Sequence, residues 1–358
     1  MPPPTGPAGS RRRAGPVAAL LAVGLVAGIF LSATVGSEWI PFAAVLAILA
    51  REVGLGGGFA PCAGLAVAPS QCTVWTEIVW DARMPSILVA VFAGAALALS
   101  GGTLQGVFRN PLADPYLLGI SSGAAVGAAI LLTFQLAVAD QATLLPVFAF
   151  GGALVPGLVI YAAASGRRRG PESLVLTGVA LSALFSAVLA TFLFYNPAAG
   201  LQLSFWLLGN LQAETWTDAA IVAGVVVAGG TLIALSGREL NVLQLGPAIA
   251  ESVGVEATRH TRRLILLSTV VTATSVAFTG VIGFVGLVSP HVVRLIVGPD
   301  YRKVLPISAL FGGVFLLVAW DLALRILPPL ALPVGIPTSF VGVPFFLYLL
   351  YRRRPVGP

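Results

Sequence analysis

Charged side chains are scarce in this sequence. Of its 358 residues only 9% are charged and 57% are hydrophobic, whereas about a quarter of a typical soluble domain is charged. This composition excludes an ordinary soluble protein and predicts a polytopic membrane protein. The net charge of +6 comes from short arginine clusters between apolar runs. Such clusters indicate positive-inside membrane topology, and we expect no nucleic-acid partner.

Lysine, histidine and cysteine are also rare, which limits the available chemistry. The single lysine, Lys303, lies in GPDYRK, which does not fit the GxxxxGK[ST] phosphate loop. The two histidines, His260 and His291, are predicted on opposite membrane faces, so we expect structural roles, no metal site and no catalytic residue. Cys62 and Cys72 share one non-apolar stretch. They form a disulfide if that stretch faces an oxidising compartment, and otherwise remain free thiols.

Apolar runs predict an all-α protein with about ten transmembrane helices. The first run follows a Pro/Gly/Arg-rich tail, 1–14, and a signal peptide is the alternative interpretation. The run is close to the ~20 residues that span a bilayer, which favours a retained helix. An amphipathic stretch around 39–49 is expected at the membrane interface. The ten runs are 16–35, 86–107, 117–136, 144–165, 173–195, 216–236, 264–282, 285–297, 304–326 and 335–351.

The distribution of cations predicts the orientation of this single transmembrane domain, 15–355. With the N-terminus in the cytoplasm, only Arg51, Arg83 and Arg325 of the twenty cations fall on the outer side. We therefore expect both termini in the cytoplasm and a location in the cytoplasmic (inner) membrane.

The sequence also contains a candidate internal repeat. When the two halves of the sequence are aligned at one constant offset, four pairs of identical residues match. They are Arg83 with Arg262, Gly101 with Gly280, Pro111 with Pro290 and Gly119 with Gly298. The copies, about 77–195 and about 256–351, contain helices 2–5 and 7–10, and an odd number of helices separates them. They would insert with opposite topology, as in many transporters. Chance similarity between two Gly/Ala/Val-rich stretches is the alternative.

The most informative motif is NPLADP, which begins at Asn110 and lies between two apolar runs. A break at Asn110 and Pro111 is tolerated in a membrane only where protein or water covers the freed backbone groups. The repeat places Ser289 and Pro290 at the equivalent position. We expect the two pairs to act as hinges at the two ends of a pathway, and plain tight turns are the alternative.

The NPLADP run with its flanking glycines resembles the signature of the FecCD family, the permease subunits of ABC importers for iron chelates, haem and vitamin B12. FWLLGN with Trp206 and Gly209, GFVGLVSPH from Gly283, and LPVGI with Pro333 also match the family pattern. The resemblance extends from about Arg83 to the C-terminus.

The resemblance implies that the loop 237–263 contains the helix that couples the permease to its ATPase subunit. The family pattern is matched at Leu245, Gly246, Ala250 and Gly254. Pro247 replaces the usual acidic residue and Glu251 the usual basic one. Pro at a first helical position and Gly after the last predict a short helix from Pro247 to Gly254. An ordinary solvated loop is the alternative.

The resemblance also implies that Arg83 and Arg325 dock acidic residues of an extracytoplasmic binding protein. Ser86 replaces the second arginine of the family's RxPR run. Snorkelling membrane anchors are the alternative for both arginines. Asp321 lies four residues before Arg325 on a predicted helix, so the two side chains are also candidates for mutual neutralisation.

The function implied by the resemblance is the permease subunit of an ATP-driven importer that moves an iron chelate, a siderophore or haem, by alternating access. A second copy, two cytosolic ATPase subunits holding ATP and Mg, and a binding protein would be its partners, with no cofactor on this subunit. A cobalamin permease of the same family is one alternative. An ion-coupled secondary transporter is another, although no midplane carboxylate is evident. A membrane enzyme is the third alternative, but it would need a cluster of acid, base or metal-ligand residues, and none is evident in the sequence.

Overall fold

Helices form nearly all of the regular structure in the part of the chain that the structure describes. The computed structural model describes residues 9–36, 38–55, 62, 68–134, 141–164, 171–212, 214–327 and 330–352. Each predicted apolar run coincides with a helix, which confirms the all-α membrane fold. These ten helices are α1 (Gly9–Thr34), α4 (Met84–Val107), α5 (Ile120–Phe134), α6 (Gln141–Ala163), α7 (Pro171–Tyr195), α9 (Trp216–Leu235), α12 (Ala257–Thr279), α13 (Val285–Val297), α14 (Tyr301–Arg325) and α15 (Gly335–Arg352).

Shorter elements connect these helices. They are α2 (Phe42–Glu52), α3 (Pro69–Thr76), a π-helical turn (Glu77–Arg83) that joins α3 to α4, a 3-10 turn (Pro115–Leu118), α8 (Pro197–Leu207), α10 (Gly237–Leu243) and α11 (Pro247–Ser252). Of these, α2 coincides with the predicted amphipathic stretch and α11 with the predicted short helix of the loop 237–263. The other short elements were not predicted.

The helix lengths fit a protein that crosses the bilayer several times. Six described helices are long and apolar enough to do so, and three apolar helices are shorter. The short ones are α5, α13 and α15. Two of them, α5 and α13, directly follow irregular segments, so part of the chain's path beside them is not helical. Residues 1–8 of the predicted tail lie outside the described residues, and α1 begins inside that tail at Gly9.

The central helix is α4, which is buried on nearly all sides and packs against α9, α12, α13 and α14. Its small residues allow this close packing. A Cβ atom on Gly94 would overlap the carbonyl of Gly312 in α14, and one on Gly101 would overlap the carbonyl of Gly286 in α13. The glycines of α4 therefore mark backbone-to-backbone contacts.

The first helix is an integral part of this bundle. Its N-terminal half packs Val17 and Leu21 against a cluster that includes Val293 of α13. Near its other end, the Ser32 hydroxyl donates a hydrogen bond to Asp321 Oδ1 of α14 at 2.5 Å. The first helix therefore packs against both α13 and α14, and its retention in the mature protein stays a prediction.

The two cysteines form a disulfide that joins Cys62 to Cys72, the residue in the first turns of α3. This decides between the two alternatives that the sequence left open. Because disulfides persist in oxidising compartments, the bridge is consistent with an extracytoplasmic position for the segment between α2 and α4.

Candidate functional site

The NPLADP motif forms an irregular segment built from two side-chain turns. Asn110 Oδ1 accepts a hydrogen bond from the backbone N–H of Leu112 at 3.0 Å, and Asp114 Oδ1 accepts one from Tyr116 at 2.9 Å. Asn and Asp favour such turns because their short side chains imitate a backbone carbonyl. Arg109, with φ of 51°, lies between the end of α4 and this segment. The motif therefore satisfies its own backbone after α4 ends.

A second break separates α12 from α13. It begins at Gly280 and ends at Phe284, and both residues have φ of 69°. Phe284 is the strained member, because a bulky side chain rarely adopts the left-handed conformation. Its ring lies against Gly342 of α15, where a Cβ atom would overlap the ring. Between these residues the chain offers no polar side chain to bond the freed backbone groups.

Tyr116 supplies the missing partner. Its hydroxyl donates to the carbonyl of Ile282 at 2.5 Å and accepts from the Ile282 N–H at 2.7 Å. One phenol thus bonds both backbone groups of a residue in the middle of the second break. Asp114 Oδ2 and Pro115 also lie close to Gly286, at the start of α13. The two breaks therefore meet inside the protein, beside the central helix α4.

The structure places Ser289 and Pro290 inside α13, not at a turn. Both are buried. A proline inside a helix leaves the carbonyl four residues earlier without its N–H donor. Here Gln105 Nε2 of α4 lies 3.5 Å from that carbonyl, Gly286 O, and 3.3 Å from Leu287 O. The expected corner equivalent to Asn110 and Pro111 is thus absent at 289–290, and the turn occurs at Gly280–Phe284. The hinge role of these residues stays a prediction.

The predicted coupling helix is present as α11. Gly246 and Gly254 flank it with φ of 102° and 85°, conformations that favour glycine. Ala250 is fully buried, whereas Glu251 is exposed. Leu245, Ile249 and Val253 recur every fourth residue and are 62%, 48% and 62% exposed, so this short element presents a row of apolar side chains to the solvent.

The preceding helix, α10, connects this loop to two membrane helices. Asn241 Nδ2 donates to Asp300 Oδ1 at 2.7 Å, and Asn241 Oδ1 accepts from the N–H of Tyr301, where α14 begins. Gln244 Nε2 donates to Gly106 O, near the end of α4, at 2.5 Å. Arg302 holds the pKa of Asp300 well below its ordinary value through charge-assisted hydrogen bonds. The sequence did not identify Asn241 or Gln244.

Arg83 is held by the chain itself. Its Nη1 donates to Ala33 O at 2.7 Å and its Nη2 to Glu38 O at 2.6 Å, where α1 ends. These bonds tie the π-helical turn before α4 to the segment after α1. Docking of a partner by Arg83 stays a prediction, and this geometry shows that the guanidinium already has a role within the chain.

Arg325 is the more accessible of the two arginines. Its side chain is 40% exposed, and its only ion pair among the described residues is with Asp321, at 3.7 Å. Asp321 also accepts the hydrogen bond from Ser32. The long ion pair leaves much of the Arg325 guanidinium facing the solvent. Its docking role stays a prediction.

The histidines lie in separate helices. His260 is in the first turns of α12, and the His291 ring in α13 contacts Phe345 edge-on at 6.0 Å. Among the described residues, no group of three or more His, Cys, Asp and Glu side chains is placed to hold a metal ion.

Comparison with known proteins identifies the family. A family model described as the FecCD transport family matches residues 24–352, nearly the whole chain. The chain belongs to the FecCD transport family. The prediction made from NPLADP and its companion motifs is confirmed, and the FecCD match also extends into α1, beyond the residues on which the resemblance was based.

Several FecCD relatives carry functional names. The cobalamin import system permease protein BtuC of Halobacterium salinarum is 41% identical over 92% of this chain and 94% of its own length. The hemin transport system permease protein HmuU of Yersinia pestis is 40% identical over 78% of this chain and 84% of its own. The Fe(3+) dicitrate permease FecD of Escherichia coli is 39% identical over 77% and 86%, respectively.

A solved structure supports the same assignment. A metal-chelate type ABC transporter in an inward-facing conformation matches with a TM-score of 0.79 at 26% identity. The match covers 94% of this chain and 99% of the other chain. The chain is therefore a multi-span FecCD permease with the fold of an ABC transporter's membrane subunit.

Proposed function

We propose that this FecCD permease is the membrane subunit of an ATP-driven importer that passes a metal chelate across the cytoplasmic membrane. The observation that carries the proposal is the α10–α11 element, which exposes an apolar row and is bonded to the ends of two buried membrane helices. A soluble ATPase that binds the row would move those helices. ATP and Mg would lie on that ATPase, and we assign no cofactor to this subunit.

The ATPase contact is assigned to Leu245, Ile249 and Val253, with Pro247, Glu251 and the flanking glycines shaping the element. Exposed apolar side chains in a row mark a protein-binding surface more often than solvent-facing structure. Ala250 packs inward and so fixes which face of α11 points outward. We place this element, and both termini, in the cytoplasm.

Movement of α11 would reach the pathway through α10. Asn241 holds the start of α14 and Gln244 holds the end of α4. The segment that follows α4 leads through Asn110 and Pro111 to Tyr116, which contacts the second break at Ile282. We assign alternating access to relative movement of these two breaks, with Ser289 and Pro290 moving as part of α13.

On the outer side, we assign docking of a binding protein mainly to Arg325. Arg83 would act indirectly by holding the ends of α1 and α4 together. The Arg325→Glu variant should weaken docking in a salt-dependent way, because exposed charges are screened by salt. Arg51→Glu is the matched control, since Arg51 is an exposed cation on α2. Equal losses in both variants would contradict a specific role for Arg325.

The cargo class is inferred from the relatives. We propose an iron chelate, a siderophore or haem, as the main candidate. Two of the three relatives described above are named for haemin and ferric dicitrate transport, and cobalamin is the second candidate because one is named for cobalamin import. Binding of haem, cobalamin and a ferric siderophore to the cognate binding protein would separate these candidates.

The assembly proposed is two copies of this chain, two ATPase subunits and one binding protein. Helix α7 is available for contacts with lipid or with another subunit, since only 11% of the residues in its most apolar stretch are buried within the chain. Leu176, Leu184 and Phe194 are among its exposed side chains. Exposed apolar helix surface of this kind is stable only against lipid or protein.

Reconstitution in proteoliposomes tests the proposed function. We expect chelate uptake with ATP on the ATPase side and none with a proton gradient alone. The Ile249→Asp variant should assemble poorly with the ATPase, whereas Leu55→Asp, at a residue that is 81% exposed elsewhere, should not. Uptake driven by a proton gradient without ATP would overturn the proposal in favour of a secondary transporter.

A further inference from the structure

A cavity of about 440 Å³ lies among the ends of α4 and α13, helix α10 and the start of α14. Its volume falls in the range of small-molecule sites. Three cations line it, Arg109, Arg294 and Lys303, together with Gln105 and Tyr301. The cavity belongs neither to the exposed row of α11 nor to the meeting point of the two breaks.

The charge of this cavity is unbalanced. Among the described residues that line it, the only carboxylate is Asp300, which already accepts hydrogen bonds from Asn241 and from both the side chain and the backbone of Arg302. Arg302 is not a lining residue, so the charge of Asp300 is matched outside the cavity. Among the described residues, Arg109, Arg294 and Lys303 form no ion pair with a carboxylate.

One of the three cations, Arg294, is held in place by neutral groups. Arg294 Nη2 donates to Gln105 Oε1 at 3.0 Å and to the Tyr301 hydroxyl at 3.4 Å. Gln105 is only 1% exposed and is itself oriented towards the carbonyls of α13. Because these partners are neutral, no carboxylate pairs with the guanidinium here, and its other N–H donors are left for a ligand. A planar guanidinium presents paired donors that match the oxygens of a phosphate group.

We propose that this cavity binds a phosphate group, carried either by a small soluble molecule or by the headgroup of an anionic phospholipid. Arg294 forms the floor of the site, and Arg109 and Lys303 close over the anion from the rim. The rim joins the segment after α4 to the first turns of α14. A bound phosphate would therefore hold together the same elements that α10 connects.

This arrangement has a consequence for transport that rests on the coupling role proposed above. A phosphate that holds α4 and α14 together would oppose movement transmitted by α10 and would lower ATP turnover in the complete complex. Binding itself does not depend on that role. A binding test therefore reports on the phosphate site alone, and a test of ATP hydrolysis reports on the coupling role, so that either one can fail without the other.

Thermal unfolding of the purified full-length permease in phosphatidylcholine nanodiscs tests the binding. Inorganic phosphate at constant ionic strength should raise the melting temperature saturably if the ligand is soluble. Phosphatidylglycerol in the nanodisc should raise it instead if the ligand is a lipid headgroup. The double variant Arg109→Gln/Lys303→Gln should weaken binding by at least about tenfold, since each charge-assisted bond contributes roughly that much. Arg259→Gln, which removes an exposed cation outside the cavity, should bind normally.

Arg294→Lys extends the test to the floor, because it keeps the charge and loses the paired donors. It should bind phosphate more weakly than the unmodified chain. No saturable shift with either probe, or an equal shift in the double variant, would overturn the proposal. The proposal would also be overturned if Arg109→Gln/Lys303→Gln bound phosphate normally and failed only to assemble with the ATPase. The cavity would then accept a side chain of the ATPase rather than a phosphate group.

Discussion

The two breaks in the helical bundle are stabilised in different ways. The break after α4 contains Asn110 and Asp114, whose side chains bond nearby backbone N–H groups. The break between α12 and α13 contains only glycine and apolar residues from Gly280 to Phe284, and its central residue is bonded by Tyr116 from the other break. The first break is bonded by its own side chains, whereas the central residue of the second break depends on a distant residue.

This difference suggests how a transporter can move without unfolding. The locally satisfied break keeps its shape when its surroundings shift. The dependent break changes its hydrogen bonding as soon as Tyr116 moves relative to Ile282. In a membrane interior, where water does not replace a lost partner, such a bond links the two positions tightly. Three substitutions test this comparison, from the largest expected effect to the smallest, and a pH dependence tests the surroundings of the second break.

The glycine contact between α4 and α13 should be the most sensitive point. Gly101→Ala places a Cβ atom into the carbonyl of Gly286, and neither backbone has room to move away. We expect a loss of about 3 kcal/mol or more, or no folded protein. Gly224→Ala in α9 is the control, because nothing lies within 4 Å of its added Cβ. Thermal unfolding in detergent measures both, and similar stabilities would contradict the close contact.

Removal of the Tyr116 hydroxyl should damage the second break. Tyr116→Phe leaves both backbone groups of Ile282 without a partner, which costs about 1–3 kcal/mol for each buried group. Tyr195→Phe, at a residue that is 79% exposed, is the matched control. Hydrogen exchange measured by mass spectrometry should increase around residues 280–284 only in Tyr116→Phe. Equal exchange in the two variants would mean that the second break is stable without Tyr116.

Loss of a local turn in the first break should cost less. Asn110→Ala removes one hydrogen bond to Leu112, and we expect a loss of about 1 kcal/mol. Asn210→Ala removes an equivalent turn on the exposed loop before α9 and serves as the control. A loss in Asn110→Ala as large as that in Tyr116→Phe would contradict the view that the first break is satisfied by several local bonds.

The last prediction is a pH dependence that arises in the loop that supports the second break. The N–H of Asn210 donates to Thr279 O in this loop, and Glu214 lies near its end. Burial, together with the negative charge of Asp218, raises the pKa of Glu214 to about 8. The folded state therefore holds the proton more tightly than the unfolded state.

It follows that stability is highest below the ordinary glutamate pKa and falls as the pH rises towards 8, by at most about 1.4 kcal/mol per pH unit. Glu214→Gln should remove this decline in a series of melting temperatures from pH 5 to pH 9. An unchanged decline in that variant would assign the effect to other groups.

The sequence predicted the features that depend on local composition. Apolar runs located the ten helices of the bundle, and Pro247 with Gly254 located α11, because proline and glycine act through their own backbone conformations. NPLADP was recognised as a break for the same reason. The short helices α8 and α10 were missed, since neither has a long apolar run.

Contacts between residues far apart in the chain could not be predicted from the sequence. Nothing local indicates that Tyr116 bonds Ile282, or that Gln105 lies beside the carbonyl freed by Pro290. The repeat aligns Gly119 with Gly298, and both residues have positive φ between two helical elements, while the repeat itself stays a prediction. It misplaced the second corner because α13 continues through Pro290. Asn241 and Gln244 were overlooked for the same reason, as their partners are 59 or more positions away.

The most direct test of this account compares uptake with ATP hydrolysis in proteoliposomes that contain the permease, its ATPase and its binding protein. The account predicts that Tyr116→Phe assembles and hydrolyses ATP but takes up far less chelate per ATP, whereas Tyr195→Phe behaves like the unmodified chain. An unchanged ratio of uptake to hydrolysis in Tyr116→Phe would contradict the claim that the contact between the two breaks controls access.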